Sequence, residues 1–274
     1  MRLVIVGYDS YIAGHVQHAA VSAGIEVLPL PFDAAVSDVV RPTDTVFNFA
    51  VNPAYKSEPY NEEFDCDLRV ARIAARAGAR SAIVSSRKVY PENARWNAVE
   101  DGPCGGDGSF YGQNKAQTEK RVRAVPGMRL TVFRLSNICG YEYSPGQVRR
   151  TFFGLMQASL KAQSVIRFDM HPDTRRDFLP VEHCARALIV ALKADVEGTY
   201  NLGAGFPVRC GQVAAWIEEG FEGGTLIVDP PVIRDEFFLN MDKWGSKFGS
   251  MPTTPDELRD CCVKIGRRLK CEEF

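Results

Sequence analysis

The chain lacks the cysteine patterns that mark metal sites and disulfide frameworks. Its eight cysteines are scattered singly apart from the adjacent Cys261 and Cys262, and no CxxC or Cys/His spacing occurs. An excess of either charge is also missing, because 33 Lys and Arg stand against 34 Asp and Glu. No net field therefore favours nucleic acid or an anionic membrane. We expect reduced thiols, no metal, no nucleic-acid partner and a ligand that is recognised locally.

Long apolar runs are missing too. No stretch approaches the roughly 18 residues of a membrane span, and the N-terminus enters an apolar strand at Leu3 without the layout of a signal peptide. We therefore expect a soluble, cytoplasmic protein with no membrane partner.

The apolar pattern that is present alternates strands with helices. It predicts strands at 3–6, 26–30, 45–50, 82–86 and 129–135, and helices at about 12–23, 62–77, 110–124, 148–161 and 181–192. A loop is predicted at 169–177, and the Pro/Gly-rich tail is expected to be irregular. This order predicts an α/β fold, a Rossmann doubly wound parallel sheet that binds ligands at the carboxyl ends of its strands. We assign 1–145 and about 176–205 to that domain, and about 146–175 and 206–274 to a small C-terminal substrate-binding lobe.

The first strand-to-helix turn is the candidate cofactor loop. Residues 7–13 read GYDSYIA, which matches GxxGxxG only at Gly7, with Ser10 and Ala13 at the other two positions. Ser and Ala add little bulk, so a pyrophosphate can still approach the helix N-terminus. The second strand ends in Pro29-Leu30-Pro31, without the acid that would select NAD, and so the choice between NAD and NADP stays open.

The candidate catalytic residues are Tyr111, Lys115 and Ser86. Four-residue spacing places Tyr111 and Lys115 on one helix face. An ammonium beside a phenol favours the phenolate, so that Tyr111 can exchange a proton with a carbonyl or alcohol, while Lys115 can also hold the nicotinamide ribose. Ser86 ends a buried strand, where its hydroxyl can donate to the oxygen that gains charge in hydride transfer.

These motifs, taken together, resemble those of the extended short-chain dehydrogenase/reductases, the NAD-dependent epimerase/dehydratase family that acts on nucleotide sugars. The likeness runs almost end to end, and its landmarks are the segments VSSRKVY at 84–90, YGQNK at 111–115, RLSNICG at 134–140, RDFLPV at 176–181 and TYNLG at 199–203. The resemblance implies a catalytic triad of Ser86, Tyr111 and Lys115. It implies NAD(P)(H) bound through Gly7, Ser10, Tyr11, Ile12, Asp33, Ala50 and Ser85 together with Tyr111 and Lys115. It also implies that Ser86, Asn137, Arg176 and Arg234 bind a nucleotide-sugar substrate.

The family includes several activities, and the residues after Ser86 separate some of them. Dehydratases need an acidic pair there, whereas this chain has Arg87 and Lys88. A reductase of a 4-keto-deoxysugar nucleotide and a nucleotide-sugar 4-epimerase both remain open. Trp96 with the following acidic residues resembles reductases, while Arg176 and its neighbours resemble 4-epimerases. We favour the reductase. A dinucleotide-sensing regulator is the third alternative, although such proteins usually lack the tyrosine.

Assembly follows from the same resemblance. Relatives pair two subunits through the helices predicted here at 62–77 and 110–124, which implies a homodimer. Arg69, Arg72 and Arg76 make the first of these helices less apolar than a typical four-helix contact, so a monomer remains open.

Overall fold

The computed structural model describes residues 1–32, 36–229 and 231–272. Six strands form the central sheet: β1 (Arg2–Val6), β2 (Glu26–Leu30), β3 (Asp44–Asn48), β4 (Arg80–Ser86), β6 (Arg129–Leu135) and β11 (Gly198–Leu202). All neighbours are parallel, in the order β11-β6-β4-β3-β1-β2. The predicted doubly wound sheet is confirmed.

Helices cover both faces of this sheet. The α-helices of the described residues are α1 (Tyr11–Ser22), α2 (Ala54–Ser57), α3 (Cys66–Arg76), α4 (Phe110–Arg123), α5 (Phe152–Gln163), α6 (Val181–Lys193), α7 (Cys210–Phe221), α8 (Asp242–Phe248) and α9 (Pro255–Cys271), of which α5, α7 and α9 pack around a core of their own. Strand alternation explains the two faces, because Leu3 and Ile5 join the core under α1 and α6, while Val4 and Val6 join the core under α3. All four side chains are fully buried.

The described chain beyond β4 also forms four short strand pairs that are separate from this sheet. They are β7 (Asn137–Cys139) with β10 (Phe178–Pro180), β5 (Trp96–Ala98) with β14 (Phe238–Leu239), β8 (Val165–Phe168) with β13 (Thr225–Val228), and β9 (Arg175–Arg176) with β12 (Val208–Arg209). A second apolar core lies among α5, α7 and α9. Strand β9 lies within the segment predicted as a loop at 169–177, so the predicted loop extends too far by a few residues.

The expectation of an irregular tail is wrong, because α7, α8 and α9 lie within it. Gly220 on α7 and Gly266 on α9 explain the error. A Cβ on either glycine would overlap a backbone oxygen of the other helix. Glycines that punctuate loops in a sequence pattern here allow two helices to pack closely.

Several predicted boundaries also shift by a few residues. The helix predicted at 62–77 begins only at Cys66, after a single 3-10 turn, and the one predicted at 148–161 begins at Phe152, where Thr151 caps it. The third strand ends at Asn48, two residues early, because the chain turns there towards the first strand-to-helix loop.

Candidate active site

The turn between β1 and α1 is built around Gly7. Its backbone has φ of 74°, and a Cβ there would lie 2.7 Å from the amide nitrogen of Ala50. The turn therefore requires glycine, both for its left-handed backbone and for this close approach. Gly7 follows β1 and Ala50 lies just beyond β3. Strand order reverses between β1 and β3, at the kind of position where open α/β sheets bind ligands.

The N-terminus of α1 lies at the same edge of the sheet. Ser10 caps it, with Oγ accepting the N–H of Ala13 at 3.3 Å. The amides of Tyr11 and Ile12 have no acceptor inside the helix, because a helix leaves its first N–H groups unpaired. Those amides and the helix dipole favour an anion such as a pyrophosphate. The turn therefore fits a dinucleotide, although only one of the three usual glycines is present.

Two other predicted cofactor residues need separate comment. The Tyr11 hydroxyl fills space that Gly140 leaves, since a Cβ on Gly140 would overlap it, and the Arg149 guanidinium lies 4.3 Å from the ring centroid. Burial raises the pKa of the Tyr11 phenol well above its ordinary value. Tyr11 is thus available to a ligand at this turn through its backbone rather than its hydroxyl. Asp33 lies outside the described residues.

Ser86 and Tyr111 both lie at the carboxyl edge of the sheet. Ser86 is the last residue of β4, and its Oγ accepts the N–H of Lys88 at 3.2 Å. Tyr111 is in the first turn of α4. A Cβ on Gly112 would overlap the carbonyl oxygen of Lys88, so the glycine lets α4 pack directly on the segment after Ser86. Ser86 and Tyr111 are both half-buried, which leaves each hydroxyl-bearing side chain partly open to a ligand.

Lys115 is held beneath these residues. Only 3% of it is exposed, and its Nζ donates to Asp67 Oδ2 and to the carbonyl oxygen of Val84, both at 2.7 Å. Burial alone would lower the pKa of Lys115, but the Asp67 carboxylate and the nearby Tyr111 and Tyr55 phenols raise it above its ordinary value. Lys115 is therefore an ammonium with a fixed position.

Sequence reasoning missed Asp67. Its Oδ1 accepts a hydrogen bond from Asn48 Nδ2 at 2.7 Å, so both carboxylate oxygens have partners. A signal was present, because Asp67 lies on the buried stripe of α3 with Val70, Ala71 and Ala74, where the helical period calls for an apolar residue. A buried carboxylate at such a position requires a partner.

Ser85 and Ser86 face opposite sides of β4. Ser85 is 1% exposed and its Oγ donates to Glu119 Oε1 at 2.5 Å, in a buried network in which Arg134 pairs with Glu119 at 2.8 Å. The Ser85 hydroxyl therefore lies in the core below α4, away from the edge where Ser86 ends the strand.

A second set of charges, here named the arginine cluster, consists of Arg87, Arg95 and Arg176 around Asp235. Arg87 donates to both Asp235 carboxylate oxygens at 2.8 and 2.7 Å, Arg95 donates to Oδ1 at 2.9 Å, and Arg176 Nη2 lies 3.5 Å from Oδ2. Burial alone would raise the pKa of Asp235, but the three guanidinium groups hold it below its ordinary value. Asp235 has φ of 56°, an uncommon conformation for a residue other than glycine.

The arginine cluster carries more positive than negative charge. Arg87 and Arg176 are buried, and Arg95 also pairs with the exposed Glu92 at 2.9 Å. Guanidinium groups in such a cluster favour phosphate and carboxylate oxygens. The predicted substrate residue Arg176 belongs to this cluster.

The remaining predicted substrate residues, Arg234 and Asn137, border the arginine cluster without pairing with Asp235 through their side chains. Arg234 is half-exposed and pairs with Asp169, whose carbonyl oxygen also accepts from it. Asn137 is half-buried at the start of β7, and its backbone N–H donates to the carbonyl oxygen of Asp177 at 3.3 Å. The Arg234 guanidinium thus pairs with Asp169 rather than with Asp235, while its backbone carbonyl oxygen accepts a hydrogen bond from Arg176 Nη2 at 3.4 Å.

The doubly wound fold, with its strand order reversing between β1 and β3, is the class of α/β fold in which nucleotides commonly bind at that edge. The model of the NAD dependent epimerase/dehydratase family matches residues 25–203, which is more than half of the chain. The chain belongs to this family of NAD-dependent enzymes, and the resemblance found in the sequence is confirmed.

Solved structures share the fold over nearly the whole chain. UDP-N-acetylglucosamine 4-epimerase from Bacillus cereus superposes with a TM-score of 0.81 at 14% identity, covering 100% of this chain and 98% of that one. UDP-glucose 4-epimerase from Thermus thermophilus, in complex with NAD, gives 0.74 at 19%, covering 97% and 99%. MoeE5 in complex with UDP-glucuronic acid and NAD gives 0.78 at 19%, covering 98% and 99%. A comparison with curated proteins by sequence found no match.

Two features are absent from residues 1–32, 36–229 and 231–272. None of the helices there is long and apolar enough to cross a membrane. The same residues contain no group of three or more His, Cys, Asp or Glu side chains that could hold a metal ion.

Proposed function

We propose that this protein is an NAD(P)-dependent oxidoreductase that reduces a keto group of a nucleotide-activated deoxysugar, at the 4-position of the sugar. The observation that carries the proposal is the arrangement of Ser86 and Tyr111, half-exposed at the carboxyl edge of the sheet, over the buried ammonium of Lys115. The turn at Gly7, where α1 begins, fits the pyrophosphate of the cofactor.

The chain's own groups supply proton transfer and charge stabilisation. NAD(P)H, when bound, supplies the hydride. The Tyr111 hydroxyl donates its proton to the substrate oxygen, and the Ser86 hydroxyl donates a hydrogen bond to the same oxygen as it gains charge. Lys115 stabilises the phenolate that Tyr111 becomes, and it holds the ribose of the cofactor.

The arginine cluster suits the diphosphate of a nucleotide sugar. Arg176 is the member that also matches the family's substrate-binding motif, and Asn137 and Arg234 complete the proposed contacts. Elimination of water is not supported, because the positions after Ser86 carry cations that are already paired: Arg87 with Asp235 at 2.7 Å, and Lys88 with Asp107 at 3.0 Å. Neither can act as the acid or the base of a dehydratase.

A nucleotide-sugar 4-epimerase is the second candidate. In that reaction Tyr111 would take the proton of a sugar hydroxyl while bound NAD would accept the hydride from the same carbon, and both would then be returned, the hydride to the other face of the sugar. The shared fold with 4-epimerases from Bacillus cereus and Thermus thermophilus favours this candidate. In an epimerase the cofactor must stay bound between the two half-reactions, whereas in a reductase it must exchange.

The first experiment identifies any nicotinamide nucleotide that copurifies with the protein, and then titrates the stripped protein with NADH and NADPH. Reversible binding of a reduced cofactor supports the reductase, retained NAD supports the epimerase, and binding of neither contradicts the proposal. The stripped protein is then supplied with NADPH or NADH and a panel of 4-keto-6-deoxysugar nucleotides, and oxidation of the cofactor is followed by its loss of near-ultraviolet absorbance.

Tyr111→Phe provides the test of mechanism. Because the proton donor is lost, we expect turnover to fall by at least about 100-fold while cofactor affinity stays near that of the wild type. Tyr60→Phe is the matched control, since Tyr60 bonds Asp65 at 2.7 Å away from Ser86 and Lys115. Full activity in Tyr111→Phe would show that another group moves the proton.

A further inference from the structure

The ion pair of Lys115 and Asp67 is a feature that the proposed chemistry does not by itself require. The two side chains are 4% and 6% exposed, and their charged atoms lie 2.7 Å apart. Asn48 holds the other carboxylate oxygen and also donates to the carbonyl oxygen of Ala50 at 3.0 Å. The pair is therefore tied to the loop after β3, which carries Ala50 to the turn at Gly7.

Counting donors shows what this arrangement does to Lys115. An ammonium has three N–H donors. Two of them are used by acceptors that cannot move freely, since Asp67 lies on α3 and the Val84 carbonyl lies in β4. Tetrahedral geometry then fixes the direction of the third N–H. Without Asp67, the flexible four-carbon stem of the lysine would give the ammonium a wider choice of positions.

We propose that Asp67 is a positioning residue that presents the remaining N–H of Lys115 to the ribose of the nicotinamide cofactor. The same carboxylate keeps the ammonium charged in alkaline solution. This inference rests on the proposed function only in requiring that the protein bind NADH or NADPH.

The charges around the pair determine whether removal of the Asp67 charge raises or lowers the pKa of Lys115. Lys115 faces Asp67 on α3, Tyr55 on α2 and Tyr111 on α4, and Asp67 in turn faces Asp65 as well as Lys115. Phenols are neutral near pH 7, so Asp67 is the charge that offsets burial of the ammonium. With Asp67 present, the pKa of Lys115 stays above its ordinary value. With Asp67 neutralised, burial lowers that pKa, and the ammonium loses its proton at a lower pH.

The test compares NADH affinity from about pH 6.5 to about pH 10 in four proteins: wild type, Asp67→Asn, Lys115→Met and Asp65→Asn. If the stripped wild type prefers NADPH, that cofactor replaces NADH throughout. Asp65 is the matched control, because it is a buried carboxylate that caps the same helix and bonds Tyr60 and Thr118 rather than Lys115. Intrinsic fluorescence, or isothermal titration, gives the dissociation constant, and circular dichroism checks folding.

We expect the wild type and Asp65→Asn to bind with an affinity that changes little over this range. Asp67→Asn should bind within a few-fold of wild type at about pH 6.5 and then weaken by about tenfold by about pH 9, as one charge-assisted hydrogen bond is lost. Lys115→Met should be weak at every pH. Asp67→Glu, which restores the charge, should restore the flat profile.

Other outcomes overturn the inference. An Asp67→Asn protein that is as tight as wild type at every pH overturns the inference, and one that is weakened equally at every pH overturns the claim that Asp67 keeps the ammonium charged. If Asp67→Asn does not fold, the ratio of wild-type to Lys115→Met affinity decides instead: it must stay constant up to about pH 10, and a ratio that shrinks above about pH 8 overturns the inference. A wild type that binds neither NADH nor NADPH would contradict the proposed function itself.

Discussion

Two groups of buried charge border the end of β4, and they differ in balance. In the first, Lys115 meets one carboxylate, Asp67, and also bonds the Val84 carbonyl in β4. In the second, Asp235 meets three guanidinium groups, one of which is Arg87, the residue directly after Ser86. The pair is neutral, whereas the arginine cluster keeps an excess of positive charge.

This difference in charge balance indicates that the two groups have different roles. A buried pair whose charged groups are held by fixed partners is complete when the chain folds, so it fixes a position without any ligand. Buried guanidinium groups that share one carboxylate are incompletely compensated, and an arriving anion relieves their mutual repulsion. We therefore expect mutations of the pair to affect folding and geometry, and mutations of the cluster to affect the response to anions.

The largest loss of stability should come from removing one member of the neutral pair while the other member stays. Lys115→Met leaves the Asp67 carboxylate buried without its cation, and we expect a loss of about 3 kcal/mol in the free energy of unfolding. Urea unfolding at about pH 7 measures it.

The control for that variant removes both charges. Asp67→Leu combined with Lys115→Met replaces the pair by apolar groups, and we expect its stability to return to within about 1 kcal/mol of wild type. If the single variant is as stable as wild type, Asp67 does not remain a buried unpaired charge in it, and the contrast between the two charge groups disappears.

A smaller loss is expected when the cluster loses its carboxylate. Asp235→Asn removes the bidentate partner of Arg87, and we expect a loss of about 2 kcal/mol at about pH 7. The pKa of Asp235 is lower in the folded protein than in the unfolded chain. Its contribution is therefore complete above the unfolded value of about 3.9 and is lost as pH falls through the folded value.

Stability curves for wild type and Asp235→Asn should accordingly run parallel from about pH 7 to about pH 4 and converge at more acidic pH. Asp169→Asn is the control, because Asp169 pairs with Arg234 at the surface and three quarters of its side chain is exposed. Such pairs contribute little. If the difference in stability between wild type and Asp235→Asn stays constant down to about pH 2, the ionised carboxylate is not the cause of that difference.

The contrast between the two groups also shows what the sequence could predict. Ser86, Tyr111 and Lys115 were found because strand ends and helical spacing are local patterns, and the sheet followed from alternating apolar segments. The partners were not found, because Asp67 is 48 residues from Lys115 and Asp235 is 148 residues from Arg87. No local period connects such residues; only the fold does.

The glycines also show that a role set by distant contacts cannot be predicted from a local sequence pattern. Gly7 could be interpreted from the sequence because it follows an apolar strand and precedes a helix. Gly220 and Gly266 could not, because their role appears only when α7 and α9 are in contact. The tail was therefore expected to be irregular because of its glycines, although two of them allow its helices to pack closely.

The smallest predicted effect is a shift in Tm on binding an anion, and it distinguishes the two charge groups because only the arginine cluster should bind one. Inorganic pyrophosphate should bind the arginine cluster, and at about ten times its dissociation constant it should raise the Tm of the wild type by roughly 3 °C relative to chloride at equal ionic strength. Thermal unfolding measures this shift. Arg87→Met should lose most of it, because the cluster loses the guanidinium that holds Asp235 bidentately. The Asp67→Leu and Lys115→Met double variant should keep it in full, because the neutral pair carries no excess charge. An equal shift in Arg87→Met and wild type would place the anion elsewhere, such as at the N-terminus of α1.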